Sequence, residues 1–170
     1  MTGRDARGFT LVELLIVVAI IGILAAFAVP NVRQTRITGN QSSAVNSLQA
    51  INGAQSTFAA NCGGNAYAAS LEDLSIAPDG RQGYISPDLA VNGVIKDGYR
   101  ITVEPQGEPL EGVKTCNGVA SVYGEYFVHA EPVSPGVTGQ RSYATDSRRT
   151  IFYNNTGAPI EPGMEGATPQ

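Results

Sequence analysis

From Leu14 to Val32 the chain runs for 19 residues without a charged side chain, bounded by Glu13 and Arg33. Wound as a helix at 1.5 Å per residue, that run covers roughly 28 Å, about the hydrocarbon core of a bilayer. The 138 residues that follow are polar, with Gly, Ser, Asn and Pro throughout. A chain of 170 residues suits one ordinary domain and not two. The pattern therefore predicts a membrane-embedded end joined to a single water-soluble body.

Composition narrows the chemistry. The 15 acids outnumber the 11 bases, and no basic cluster is larger than Arg148-Arg149, which speaks against a nucleic-acid site. One His, two Cys and no Trp leave few parts for metal or nucleophilic work. No G-x-S-x-G nucleophile motif occurs, and neither Cys62 nor Cys116 has a near partner at zinc spacing. His129 reads as a surface or sheet-packing residue. Asp88, Asp97 and Asp146 offer oxygens for Ca²⁺ but lack a ligand spacing. The expectation is no enzyme, no cofactor and no metal site.

Three readings compete for the N-terminus. A cleaved secretory signal accounts for Arg4, Arg7 and the apolar run, but the run is long for one and Glu13 sits at its start. A plain signal anchor explains the length and not the carboxylate. The third reading uses every feature. The stretch Arg7-Gly8-Phe9-Thr10-Leu11-Val12-Glu13-Leu14 resembles the cleavage and methylation site of type IV prepilins and of type II secretion pseudopilins. Gly8, Phe9 and Glu13 match the leader glycine, the new N-terminal residue and the glutamate four positions on. Pro30 falls where many pilins carry a helix-bending proline.

That resemblance implies a division of the chain. Residues 1–8 are a leader removed after Gly8 by prepilin peptidase, which N-methylates Phe9. Residues 9–32 are a transmembrane and filament-core helix, and 33–170 a periplasmic or extracellular body. A carboxylate in an apolar helix costs several kcal/mol, roughly, on insertion, so Glu13 needs a use. The use implied is neutralising the Phe9 amine, in the same chain or in a neighbour packed with an axial offset. Gly22 adds backbone freedom and Pro30 lacks a donor, which by themselves give a simple kink that transmembrane helices tolerate; the resemblance implies that residues 22–30 lengthen when a filament forms.

Beyond Pro30 a helical pattern continues. Ile37, Ala44, Val45, Leu48, Ile51, Phe58 and Cys62 mark the buried side, while Gln34, Asn40, Ser47 and Gln49 fill other faces. Cys62-Gly63-Gly64 reads as the stop. From Phe9 to Ala60 such a helix measures about 78 Å. Residues 63–98 read as loop with two helical turns, at Ser70–Ile76 and at Ser86–Leu89. Four strands are predicted at 99–103, 124–130, 141–145 and 150–154, with Tyr126 and Val128 on one face and Phe127 and His129 on the other. The tail from Gly157 holds three prolines and little that packs. The fold class is α+β: one long N-terminal helix on an antiparallel sheet of about four strands, the type IV pilin-like architecture. The later stretches Ala130–Val133 and Gly139–Asp146 also look like pilin-like proteins.

In an oxidising compartment a Cys62–Cys116 disulfide is the default, and two buried thiols are the alternative. Closing a loop of about 55 residues stabilises by roughly 4 kcal/mol in the chain-entropy model. The function implied is a structural subunit of a type IV pilus or pilin-like filament. The partners implied are further copies of itself, minor pilins, prepilin peptidase, the inner-membrane assembly platform and, before assembly, the bilayer. The precursor would sit in the bacterial inner membrane with its leader cytoplasmic, and the product in an extracellular pilus or periplasmic pseudopilus. Adhesion, motility, DNA uptake and secretion are all uses the resemblance admits. A pseudopilin of type II secretion is the alternative. A membrane-anchored periplasmic enzyme or binding domain is a reading of another class, and it leaves Gly8, Phe9 and Glu13 unexplained.

Overall fold

The computed structural model describes residues 8–163 and 168–169. The basic leader residues Arg4 and Arg7 lie outside them, as do the side chains of residues 28–31, Pro30 included. The chain divides into two units, Met1–Arg36 and Ile37–Gln170.

Helix α1, Leu11–Asn61, is assigned through Gly22 and Pro30 alike. In the first unit its apolar side chains, from Leu11 to Phe27, are exposed. In the second unit the predicted stripe is buried: Ile37, Ala44, Leu48, Ile51, Phe58 and Cys62 all lie inside. One expectation fails here. Ser47 is buried too, and its hydroxyl donates back to the Ser43 carbonyl at 2.9 Å, which lets a small polar residue sit on the packed face. The helix stops as predicted, with the amides of Cys62 and Gly63 both donating to the Phe58 carbonyl and Gly64 in the left-handed region at φ +61°.

Two short elements follow: strand β1 (Tyr67–Ala68) and helix α2 (Leu71–Ser75), whose cap Ser70 accepts from the Asp73 amide at 3.2 Å. The second predicted turn is a single 3-10 turn, Pro87–Leu89. The sheet then runs β2 (Val94–Lys96), β3 (Tyr99–Pro109), β4 (Val122–Pro132), β5 (Ser142–Asp146), β6 (Ile151–Asn154) and β7 (Thr168–Pro169), hydrogen-bonded in chain order, with β1 added to β4. Every pairing is antiparallel. The four predicted strands are β3 to β6. Among the described residues the sheet has seven strands where about four are expected, because β1, β2 and β7 are two or three residues long, too short to show a period of two.

The pleat of β4 sorts its residues as expected. Tyr126, Val128 and Ala130 face α1, and Phe127 and His129 face away. The outward face is not left bare. The tail expected to pack little does the opposite: Ile160 is 4% exposed and covers Phe127 and Ala144, and Ser142 Oγ donates to the Ala158 carbonyl. This is why Ser142 to Thr145 are buried on both faces. Two buried amides complete the helix–sheet seam. Gln55 exchanges both hydrogen bonds with the Ala68 backbone at 2.9 Å, and Asn52 joins Tyr126 and Thr145. At the end of the body where α1 enters it, the Tyr99 hydroxyl reaches the Arg141 carbonyl at 2.7 Å, passing Gly139 where any Cβ would collide with the ring.

Candidate processing and assembly site

Gly8, Phe9 and Thr10 precede α1 without regular structure, and Phe9 is 78% exposed. The helix starts at Thr10. Its carbonyl accepts from the Leu14 amide at 3.3 Å, and its side-chain oxygen accepts from the Glu13 amide at 3.3 Å. In return Glu13 Oε2 accepts from the Thr10 amide at 2.9 Å and from the Thr10 hydroxyl at 2.7 Å. This is a capping box: each residue's side-chain oxygen accepts from the other's backbone amide, pairing two amides that the helix itself leaves without an acceptor. The T-x-x-E spacing before an apolar run announces it in the sequence, and sequence reasoning overlooked Thr10. In the uncut chain the Phe9 nitrogen is a peptide amide, and the Glu13 carboxylate holds Thr10.

Behind this head the apolar side chains point outward all round the helix. From Leu11 to Phe27 each large one is at least 46% exposed. Such a surface exceeds the few hundred Å² of apolar patch that a water-soluble monomer tolerates, so lipid or protein must cover it. Among the described residues α1 is the one helix long and apolar enough to cross a membrane.

The other sequence-predicted residues stand apart from the head. Cys62 and Cys116 form a disulfide that ties the end of α1 to the loop between β3 and β4, and the Cys116 amide donates to the Cys62 carbonyl at 3.2 Å. Tyr84 Oη lies 3.3 Å from Cys116 Sγ, and its ring meets Phe58 edge-on at 5.5 Å. The three aspartates considered for calcium are each turned to a partner of their own. Asp88 meets Lys96 at 2.5 Å, Asp97 accepts from Ser43 at 2.5 Å, and Asp146 meets Arg148 at 2.6 Å. Lys96, with help from the Ser86 hydroxyl, holds the Asp88 carboxyl down at about 2. Among the described residues no three of His, Cys, Asp and Glu are placed to hold one metal ion.

Residues 3–29 match the family model described as the prokaryotic N-terminal methylation motif. Over 105 residues the chain is 37% identical to the type IV major pilin protein PilA of Myxococcus xanthus, covering 61% of this chain and 47% of that one. It is 60% identical over 37 residues to the type IV wide pilus major component PilA4 of Thermus thermophilus, 22% of this chain and 28% of that one. It is 43% identical over 51 residues to type II secretion system core protein G of Vibrio cholerae, 30% of this chain and 35% of that one. The aligned parts thus span about half, or less, of these curated relatives. No solved structure matches. The 105-residue similarity is too long to be confined to the first unit. The chain is thus similar to type IV pilins and to a type II secretion core protein, and it carries the prokaryotic N-terminal methylation motif in its first 29 residues.

Proposed function

We propose that this chain is a structural subunit of a type IV pilus or pilin-like filament. It is cut after Gly8, N-methylated at Phe9 and held in the inner membrane by residues 9–32 until it assembles with copies of itself. Residues 33–170 form the body on the far side of the membrane. The observation that carries this reading is the head of α1, where a capped, carboxylate-bearing first turn leads into an apolar helix exposed on every side. Lipid covers that surface in the precursor and neighbouring helices cover it in the filament. A cut after Gly8 turns the Phe9 nitrogen into a cation within one turn of Glu13, so the carboxylate then has an amine to neutralise, its own or a neighbour's. Similarity to type II secretion core protein G favours a second reading, a pseudopilin, which uses the same head.

Intact-mass analysis of protein purified from its native cell tests the processing. Removing the first 8 of 170 residues leaves 162, and one methyl group is expected on the new amine. A chain that begins at Met1, or that is cut after Ala28, overturns the reading.

A further inference from the structure

Helix α1 carries three charged side chains: Glu13 in its first turn, and Arg33 and Arg36 just past the apolar run. From Leu14 to Leu71 the sequence holds no acid, and these two arginines are its only bases. They follow directly on Val32, where the run ends, and both are exposed. Three residues apart on a helix, they lie on one side of it. Neither takes part in an ion pair among the described residues, and no carboxylate within the helix stands near enough in sequence to answer them.

Helical rise puts Arg33 about 30 Å along the axis from Glu13, roughly the thickness of a bilayer's hydrocarbon core. With Glu13 level with one membrane surface, the two guanidiniums stand among the headgroups of the other. We infer that Arg33 and Arg36 together grip the phosphate of an acidic phospholipid in the leaflet on the body's side, and so set the depth of the helix before assembly. The inference rests on the proposed membrane anchoring of residues 9–32. The chemistry suits a phosphate: a guanidinium offers a planar fork of donors that meets two phosphate oxygens at once, and it is more weakly hydrated than an ammonium. Its aliphatic stem lies along apolar surface while its charged end stays at the headgroups. An acidic lipid is favoured over a zwitterionic one, because a choline already offsets its own phosphate. Of the 15 acids all but Asp5 and Glu13 fall in residues 37–170, and of the 11 bases Arg4, Arg7, Arg33 and Arg36 do not. The body is therefore net acidic and adds no such attraction of its own, which leaves the grip to the two arginines.

The test is lipid binding by native mass spectrometry on the full chain in neutral detergent micelles, titrated with dioleoyl phosphatidylglycerol or dioleoyl phosphatidylcholine. Arg4→Gln and Arg7→Gln are present throughout, so that the leader does not compete. A basic residue at an anionic surface is worth about fivefold in binding, so Arg33→Gln with Arg36→Gln should weaken phosphatidylglycerol binding by about 30-fold, and by tenfold at the least. Phosphatidylcholine binding should not change, and Arg33→Lys with Arg36→Lys should keep most of the preference. A loss under tenfold overturns the inference, as does an equal loss for both lipids. If the Gln pair keeps the lipid preference but no longer yields sheared filaments, the partner of the arginines is a neighbour's carboxylate and not a lipid. Flotation with phosphatidylcholine vesicles separates this inference from the reading beneath it. Wild type and Gln pair should both float, because the apolar run inserts whatever follows it. A wild-type chain that stays in solution would sink the membrane anchoring itself and the lipid grip with it, whereas a chain that floats without preferring phosphatidylglycerol would sink the grip alone.

Discussion

Asn52 lies at the centre of the helix–sheet seam, and replacing it with alanine should be costly. Its Oδ1 accepts from the Tyr126 hydroxyl at 2.9 Å, and its Nδ2 donates to Thr145 Oγ1 at 3.0 Å. Tyr126 is 1% exposed and Thr145 0%, so neither hydroxyl can turn to water when the amide is removed. Leaving a buried polar group unpaired costs about 1–3 kcal/mol each. Some relaxation between the two hydroxyls brings the sum to about 2–4 kcal/mol. For a body of this size 1 kcal/mol moves Tm by roughly 3 °C, so Asn52→Ala should lower it by about 6–12 °C. The decisive comparison is the triple variant Asn52→Leu, Tyr126→Phe, Thr145→Val. It removes every partner together, keeps the Tyr67–Tyr126 ring contact at 4.8 Å as a Phe contact, and should fall within about 1 kcal/mol of the wild type. The assay is thermal unfolding by circular dichroism on an oxidised fragment beginning at Asn31. A loss under about 2 °C for Asn52→Ala would refute the reasoning, as would a triple variant no more stable than the single one.

Three further outcomes are expected. Glu13→Ala should leave membrane insertion and the cut after Gly8 intact but reduce sheared filaments, because the Phe9 amine would enter the filament core unpaired at a cost on the order of 3–5 kcal/mol; normal filament yield from both Glu13→Ala and Glu13→Gln would make Glu13 a bystander. Cys62→Ser with Cys116→Ser should lower the stability of the body by about 4 kcal/mol in urea unfolding, since 54 residues of sequence separation are no longer closed into a loop; an unchanged midpoint would assign the bond no stabilising role. Burial pushes the Tyr99, Tyr126 and Tyr143 hydroxyls up, whereas an unfolded tyrosine ionises near 10, so their contribution is complete below about pH 10 and is lost as pH rises above it. Absorbance at 295 nm should then show these three ionising only as the far-UV signal collapses, and ionisation of all seven tyrosines with the fold intact would contradict this.

What the sequence disclosed follows from the range over which each signal acts. Helix α1 was legible because its apolar residues recur over many turns, and Ile37 to Cys62 lie inside as their spacing required. Strands β3 to β6 each carry enough residues for alternation to show. Strands β1, β2 and β7 do not, and they exist because longer neighbours recruit them. Ile160 was hidden for another reason: one apolar residue among prolines has no period, and its burial depends on Phe127 and Ala144, which are distant in sequence. Ser47 reads as filling an outer face, since the bond back to Ser43 that lets it pack inside leaves no mark on the hydrophobic spacing, and Asn52 and Gln55 carry no local sign that their amides meet partners across the fold. At the head of α1 the case is reversed. Gly8, Phe9 and Glu13 were read from a family motif, while the cap supplied by Thr10 was written in four consecutive residues and passed over.

The position of that cap bears on the timing of maturation. Every helical hydrogen bond of α1 begins at Thr10 or later, and the Gly8–Phe9 bond lies upstream in chain with no regular structure. Hydrolysis there would break no hydrogen bond of the helix and unwind no turn, so precursor and product can share one folded state. On the proposed reading, a protease would be free to act at any moment after insertion, before or after the body has closed its disulfide, without waiting for a refolding step. Such a cut would change the charge at the tip of the helix and leave its backbone as it is, which would make it a chemical licence for assembly and not a conformational trigger.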